Sequence, residues 1–104
     1  MSVPLVLLGE ARMSEETRCG LVYTMGLWQQ ANLELNADKG DNWRACDLGW
    51  LCQRLENEVK ELFAVATSEN VGLVWSEAAD VANMAAMIAD CADARAAAGG
   101  GEDE

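Results

Sequence analysis

At 104 residues, half of them hydrophobic, the chain is long enough for one domain with a modest core and is too apolar to be disordered. A net charge of −11 with only seven Lys and Arg excludes a nucleic-acid backbone or an anionic membrane as a direct partner, because both demand clustered cations. The chain has no histidine, which removes Ser-His and Cys-His nucleophiles and the common mixed zinc sites from consideration.

The first segment, Met1 to Leu8, is a short apolar run without a basic start, and charges from Glu10 onward cut it well short of a membrane span. Neither a signal peptide nor a transmembrane helix is expected. A first helix follows from Ser14 to Leu35: Ser14 ahead of Glu16 and Thr17 is a helix start, and Leu21, Met25, Leu27, Trp28, Ala31 and Leu35 form its expected apolar stripe. Gly20 and Gly26 weaken its continuity. The run from Asn36 to Asn42 is dense in turn formers and reads as a loop.

A second helix is expected from Trp43 or Cys46 to Ala66, and a third from Val71 or Leu73 to Ala97, separated by Ser68, Glu69, Asn70 and Gly72. The only proline is Pro4, outside every proposed helix, and no alternating β-branched run offers a strand. The fold class is therefore all-α: a helical bundle of three main helices with room for a short extra one. Residues 1–98 form a single domain, and 99–104, glycine-rich and acidic, form a flexible tail. Cys19, Cys46, Cys52 and Cys91 are scattered without a C-x-x-C pair and read as reduced, mostly buried thiols, which suits a cytoplasmic protein.

Four acids carry the functional signal. Glu58 and Glu61 are spaced i, i+3 on the second helix, and Glu77 and Asp80 repeat that spacing on the third, so each pair projects from one side of its helix. With about 100° per residue, Glu58 and Glu61 fall at the margin of the face made by Leu51, Leu55, Val59, Leu62 and Ala66. Glu77 and Asp80 lie within the stripe of Leu73, Val74, Val81, Met84, Met87, Ile88 and Cys91. Carboxylates inside an apolar face cost several kcal/mol unless a positive charge compensates them. Two such helices packed antiparallel would bring four oxygen donors together, the ligation that a hard divalent cation such as Mg²⁺ prefers. The other side of the third helix, with Trp75, Ala79, Ala82 and Ala86, is also apolar, so the expectation is a bundle completed by oligomerisation, as a homodimer or homotetramer, the alternative being a monomer whose first helix covers this alanine side.

These residues resemble a known family. The run from Leu55 to Leu62, with its E-x-x-E, and the E-x-x-D of Glu77 to Asp80 after a fifteen-residue gap are similar to the paired-acid signature of MazG-like nucleoside triphosphate pyrophosphohydrolases. The likeness covers about residues 20 to 93 and includes Lys39-Gly40-x-x-Trp43 ahead of the first acidic helix. Asn57 stands where many members carry a further acid, which leaves the number of metal ions open. The resemblance implies Mg²⁺-dependent hydrolysis of a nucleoside triphosphate, a deoxynucleotide foremost, between the α and β phosphates. The products are a monophosphate and pyrophosphate, and the role is nucleotide-pool housecleaning. Mn²⁺ is the natural substitute cation.

Within that reading Glu58, Glu61, Glu77 and Asp80 are the metal ligands, and Glu61, with Glu58 beside it, is the candidate general base acting through water. Lys39 in the loop, Arg54 one turn before Glu58, and Asn83 three residues after Asp80 are candidates for the phosphates or the sugar. For base recognition the chain offers Trp28, Trp43, Trp50 and Trp75, with Gln29 and Asn32 nearby, and Trp43 beside the glycine loop is the best stacking candidate. Arg54 also has an ordinary role as the i, i+4 ion partner of Glu58, and tryptophans at helical spacing more often fill cores.

Two rival classes stand beside the enzyme. In one the chain is a catalytically silent helical oligomerisation or protein-interaction module whose acids pair with Arg44, Arg54 or a partner's bases. In the other it is a calcium-responsive binder, disfavoured because no D-x-D-x-D-G loop is present. A P-loop is absent as well.

Overall fold

In the computed structural model the described residues are 12–37, 42–45 and 47–99. They form helix α1 (Glu15–Leu35), a 3₁₀ turn (Asn42–Ala45), helix α2 (Leu48–Val65) and helix α3 (Val71–Gly99), with no strand among them. The all-α expectation holds. No described helix is long and apolar enough to cross a membrane. Lys39, Cys46 and most of the expected tail lie outside the described residues, and α3 itself runs two residues past the expected end at Ala97.

Each helix begins where a short polar side chain can satisfy its free amides. Ser14 Oγ accepts from Thr17 N–H at 3.1 Å, with Glu15 and Glu16 in the first turn facing the positive end of the dipole. Asp47 accepts from Trp50 N–H at 3.2 Å and so starts α2 at Leu48. Of the two expected starts, Trp43 and Cys46, the earlier is corrected: Trp43 to Ala45 belong to a 3₁₀ turn ahead of the cap. Asn70 starts α3 by accepting from Leu73 N–H at 3.1 Å, and Ser68 Oγ in turn accepts from Asn70 N–H at 3.0 Å.

α3 is the central element and packs against both α1 and α2. It runs antiparallel to α2: Arg44, just before α2, pairs with Asp90 at 3.2 Å, and Glu58, a good two turns into α2, faces Glu77 and Asp80 near the start of α3. This places the two acid pairs side by side. Leu51, Ala79 and Cys91 are the fully buried apolar side chains among the described residues. Cys91 also donates its thiol to the Arg44 carbonyl at 3.8 Å, joining the far end of α3 to the 3₁₀ turn.

α1 differs most from its expected pattern. Met25, Trp28, Gln29 and Asn32 face inward, whereas Leu21, Leu27 and Leu35 of the expected stripe are exposed, Leu35 at 80%. The inward face includes two amides because α3 presents polar partners to it. Gln29 Nε2 donates to Asn83 Oδ1 at 3.1 Å, Asn83 Nδ2 donates to the Gln29 carbonyl at 3.2 Å, and Asn32 Nδ2 donates to the Ser76 carbonyl at 3.0 Å. The helix continues unbroken through Gly20 and Gly26, where an added Cβ would meet open space. The expectation of mostly buried thiols is corrected as well, since Cys19 and Cys52 are exposed and only Cys91 of the described cysteines is buried.

Candidate metal centre and substrate groove

The acids enter the site from α2 and α3 because i, i+3 spacing on each places both carboxylates toward the seam between the helices. One carboxylate oxygen each from Glu58, Glu77 and Asp80 lies within 4.8 Å of the others. All three residues are half-buried, and the Glu58 side chain is 14% exposed. Glu61 is exposed at the rim, where it adds to the upward push on the Glu77 carboxyl. The structure thus brings three of the four sequence-selected acids, Glu58, Glu77 and Asp80, to one focus and leaves Glu61 exposed at its edge.

Their electrostatics show the cost. The Glu58 carboxyl is held above its ordinary range, first by burial and then by Glu61, Asp80 and Glu77, against the opposing pull of Arg54. Burial also raises Glu77, with Asp80 and Glu61 adding to it. Asp80 is raised by burial, and the hydrogen bond from Asn32 acts against that rise. Arg54 approaches Glu58 Oε2 only to 3.9 Å. Glu58 Oε1 and Glu77 Oε1 are inaccessible to solvent and have no hydrogen-bond partner among the described residues. Buried acceptors without donors are rare in folded proteins and costly.

A divalent cation fits this donor set. The ligand atoms are all hard carboxylate oxygens, and the two orphaned ones would gain the partner they lack. The three oxygens, spread over up to 4.8 Å, would have to close on a bound ion, and mutual repulsion among the carboxylates acts in the direction that holds them apart.

Beside the acids a groove of about 540 Å³ opens, a size typical of small-molecule sites. Glu58 and Asp80 form one part of its wall, Trp43, Trp50 and Arg54 another, and Met84 and Met87 an apolar floor. The Arg54 guanidinium sits 5.7 Å from the Trp50 ring, a cation-π arrangement that keeps it between the aromatic surface and the carboxylates. Arg44 stacks 4.8 Å over Trp43.

Trp43, Arg54 and Asn83, selected from the sequence, all line the groove. Gln29 does not; its amide is spent on Asn83, so it serves the α1–α3 contact, and the Asn83 amide is engaged in the same pair. Lys39 lies outside the described residues. Trp50 and Asn32 line the groove too; the sequence offered them for base recognition only as one of four tryptophans and a neighbouring amide, and it gave no sign that Asn32 donates to Asp80 Oδ1 at 2.9 Å.

The chain matches no protein-family model, no curated protein and no solved structure.

Proposed function

We propose that this protein is a Mg²⁺-dependent nucleoside triphosphate pyrophosphohydrolase, cleaving a (deoxy)nucleoside triphosphate between its α and β phosphates in a cytoplasmic nucleotide pool. The observation that carries the reading is the convergence of Glu58, Glu77 and Asp80, with Glu61 at the rim, around two buried oxygens that have no donor. The paired-acid spacing, similar to that of MazG-like enzymes, supports it.

Glu58, Glu61, Glu77 and Asp80 would hold the metal, with Mn²⁺ as a substitute. Bound there, the cation supplies the positive charge that lets a chain of net −11 accept a triphosphate, and the Lewis acidity that promotes attack at phosphorus. The chain's own residues do the remaining work. Glu61, the most solvent-accessible of the four, is placed to take the proton of the attacking water, with Glu58 beside it. Arg54, held over Trp50, is within a side-chain swing of phosphate oxygens beside Glu58. Trp43 and Trp50 offer flat apolar surface to a base, and Lys39, four positions before Trp43 in the sequence, stays a candidate for the phosphates.

The same reading includes a homo-oligomer. Fully buried apolar side chains are few among the described residues, while Val22, Phe63 and Val71 are more than 60% exposed. Val71, Val74, Trp75 and Ala78 form a wholly apolar depression on α3. A partner subunit would cover such surface.

The test is pyrophosphate release from a panel of nucleoside triphosphates with and without Mg²⁺, comparing wild type with Glu58→Gln and Asp80→Asn. Metal-dependent release that both substitutions abolish is the expected result. If no triphosphate yields pyrophosphate, the silent interaction module takes the enzyme's place, and full activity in both variants removes these residues as ligands.

A further inference from the structure

Asn32 belongs to α1, outside both acidic motifs and 48 positions from Asp80, yet its side chain is among the most buried polar groups of the described chain, at 7% exposure. Its amide nitrogen has two hydrogens and the structure employs both. One goes to Asp80 Oδ1 at 2.9 Å, and the other to the Ser76 carbonyl at 3.0 Å, with Ser76 Oγ at 3.5 Å. Ser76 lies one helical turn before Asp80, so the amide straddles that turn and ties the carboxylate to the backbone beneath it. The backbone at Asn32 is tied down as well, because its main-chain carbonyl accepts from Asn36 Nδ2 at 2.8 Å at the end of α1. Glu58 and Glu77 have no equivalent support, each leaving one buried oxygen without a partner. Asp80 is therefore the anchored ligand, and the other two are adjustable.

We infer that Asn32 is the positioning residue of the metal centre: by fixing the Asp80 carboxylate from the neighbouring helix, it sets the point to which Glu58 and Glu77 close when a divalent cation enters. The inference rests on the metal reading above and extends it to a residue from α1. Hydrogen-bond partners of ligating carboxylates typically contribute about 10–100-fold to metal affinity. An amide suits the position, since it donates without adding charge to a site already rich in acids.

The experiment is a Mn²⁺ titration of the full chain without substrate, following loss of the free-ion signal by electron paramagnetic resonance, for wild type, Asn32→Ala, Asn32→Asp and Gln29→Ala. Gln29→Ala removes the companion amide bridge between α1 and α3, so it reports what loosening that contact alone does. Expected is Mn²⁺ binding by wild type, at least about tenfold weaker binding by both Asn32 variants, and affinity within about twofold of wild type for Gln29→Ala. Asn32→Asp keeps the shape but sets acceptor against acceptor, so it remains informative if Asn32→Ala fails to fold. Three results would overturn the inference while leaving the metal reading intact: unchanged affinity in the Asn32 variants, equal weakening by Gln29→Ala, or tighter binding by Asn32→Asp, which would make position 32 a ligand site. Absence of Mn²⁺ binding by wild type would instead remove the metal reading itself, and this inference with it.

Discussion

Glu77→Gln separates the cost of the acids from their use. In the metal-free protein Glu77 has an oxygen within 4.8 Å of both Glu58 and Asp80 and no donor for its buried Oε1. At that distance Coulomb's law gives about 0.9 kcal/mol per pair of full charges in water-like surroundings and about 3.5 kcal/mol at an effective dielectric of about 20. The seam opens onto the groove and is screened from that side, so the lower figure is the one used, and relief of two pairs comes to about 1–2 kcal/mol. The amide matches the carboxyl in shape, and no hydrogen bond to Glu77 from a donor is lost among the described residues. The expected outcome is a melting temperature about 5–10 °C higher than wild type in EDTA, followed by circular dichroism. With millimolar Mg²⁺ the order reverses: wild type gains stability through binding, the variant gains little, and pyrophosphate release falls by about 100-fold or more. A variant that melts lower than wild type in EDTA would refute the premise that the acids repel one another, and an equal response of both proteins to Mg²⁺ would refute Glu77 as a ligand.

The pH dependence has a definite sign. Glu58, Glu77 and Asp80 are raised in the folded state, so their contribution to stability is fully present below the unfolded carboxyl values and is lost as pH climbs through the folded ones. Metal-free protein should thus melt higher at pH 5 than at pH 7 by a margin that shrinks in the triple variant Glu58→Gln, Glu77→Gln, Asp80→Asn; an unchanged margin argues against these three groups. Asp47→Ala removes the α2 cap and should lower stability by about 1 kcal/mol in urea unfolding, with no loss meaning that the cap is redundant. Gly20→Ala and Gly26→Ala meet open space within the subunit, so each should raise stability by about 0.5–1 kcal/mol, and a fall accompanied by a smaller species in gel filtration would place that glycine in a subunit contact. Trp50→Ala should weaken triphosphate binding while leaving metal-only Mn²⁺ affinity unchanged, because the ring lines the groove without touching a carboxylate pair.

How far the sequence reveals this molecule depends on the range of the interaction. The helix start at Ser14, the break before α3 and the seam carrying Glu58, Glu77 and Asp80 follow from spacings of three and four residues, and those were legible. The start of α2 was not, because Asp47 stops Trp43–Ala45 from joining the helix by capping it two residues later. The inward face of α1 was hidden for a different reason. A pattern of apolar residues counts Gln29 and Asn32 as outward, yet α3 offers Asn83, Ser76 and Asp80 as partners, and such pairings are visible only once the two helices are placed together. The contribution of Asn32 therefore belongs to tertiary structure, while the acid pairs belong to local structure.

The choice between an enzyme and a silent interaction module turns on charge balance within the seam. In the module the acids need basic partners, and among the described residues Arg54 is the cation paired with Glu58, at 3.9 Å and nearly half exposed. One guanidinium shared with the Trp50 ring does not offset Glu58, Glu77 and Asp80, whose carboxyls stay raised by burial and by their neighbours' charge. A purely structural seam would be more stable with apolar or amide side chains at 77 and 80, positions inside an apolar stripe where ionised groups are costly. Residues that destabilise the isolated fold and share one focus are what a site that binds a cation requires, and the groove of aromatic and basic side chains beside it gives that cation something to act on. A module with basic partners on another chain would satisfy the charges equally well. It would not need Trp43, Trp50 and Arg54 lining a small-molecule-sized groove on the same side, and that is the feature which favours chemistry over docking.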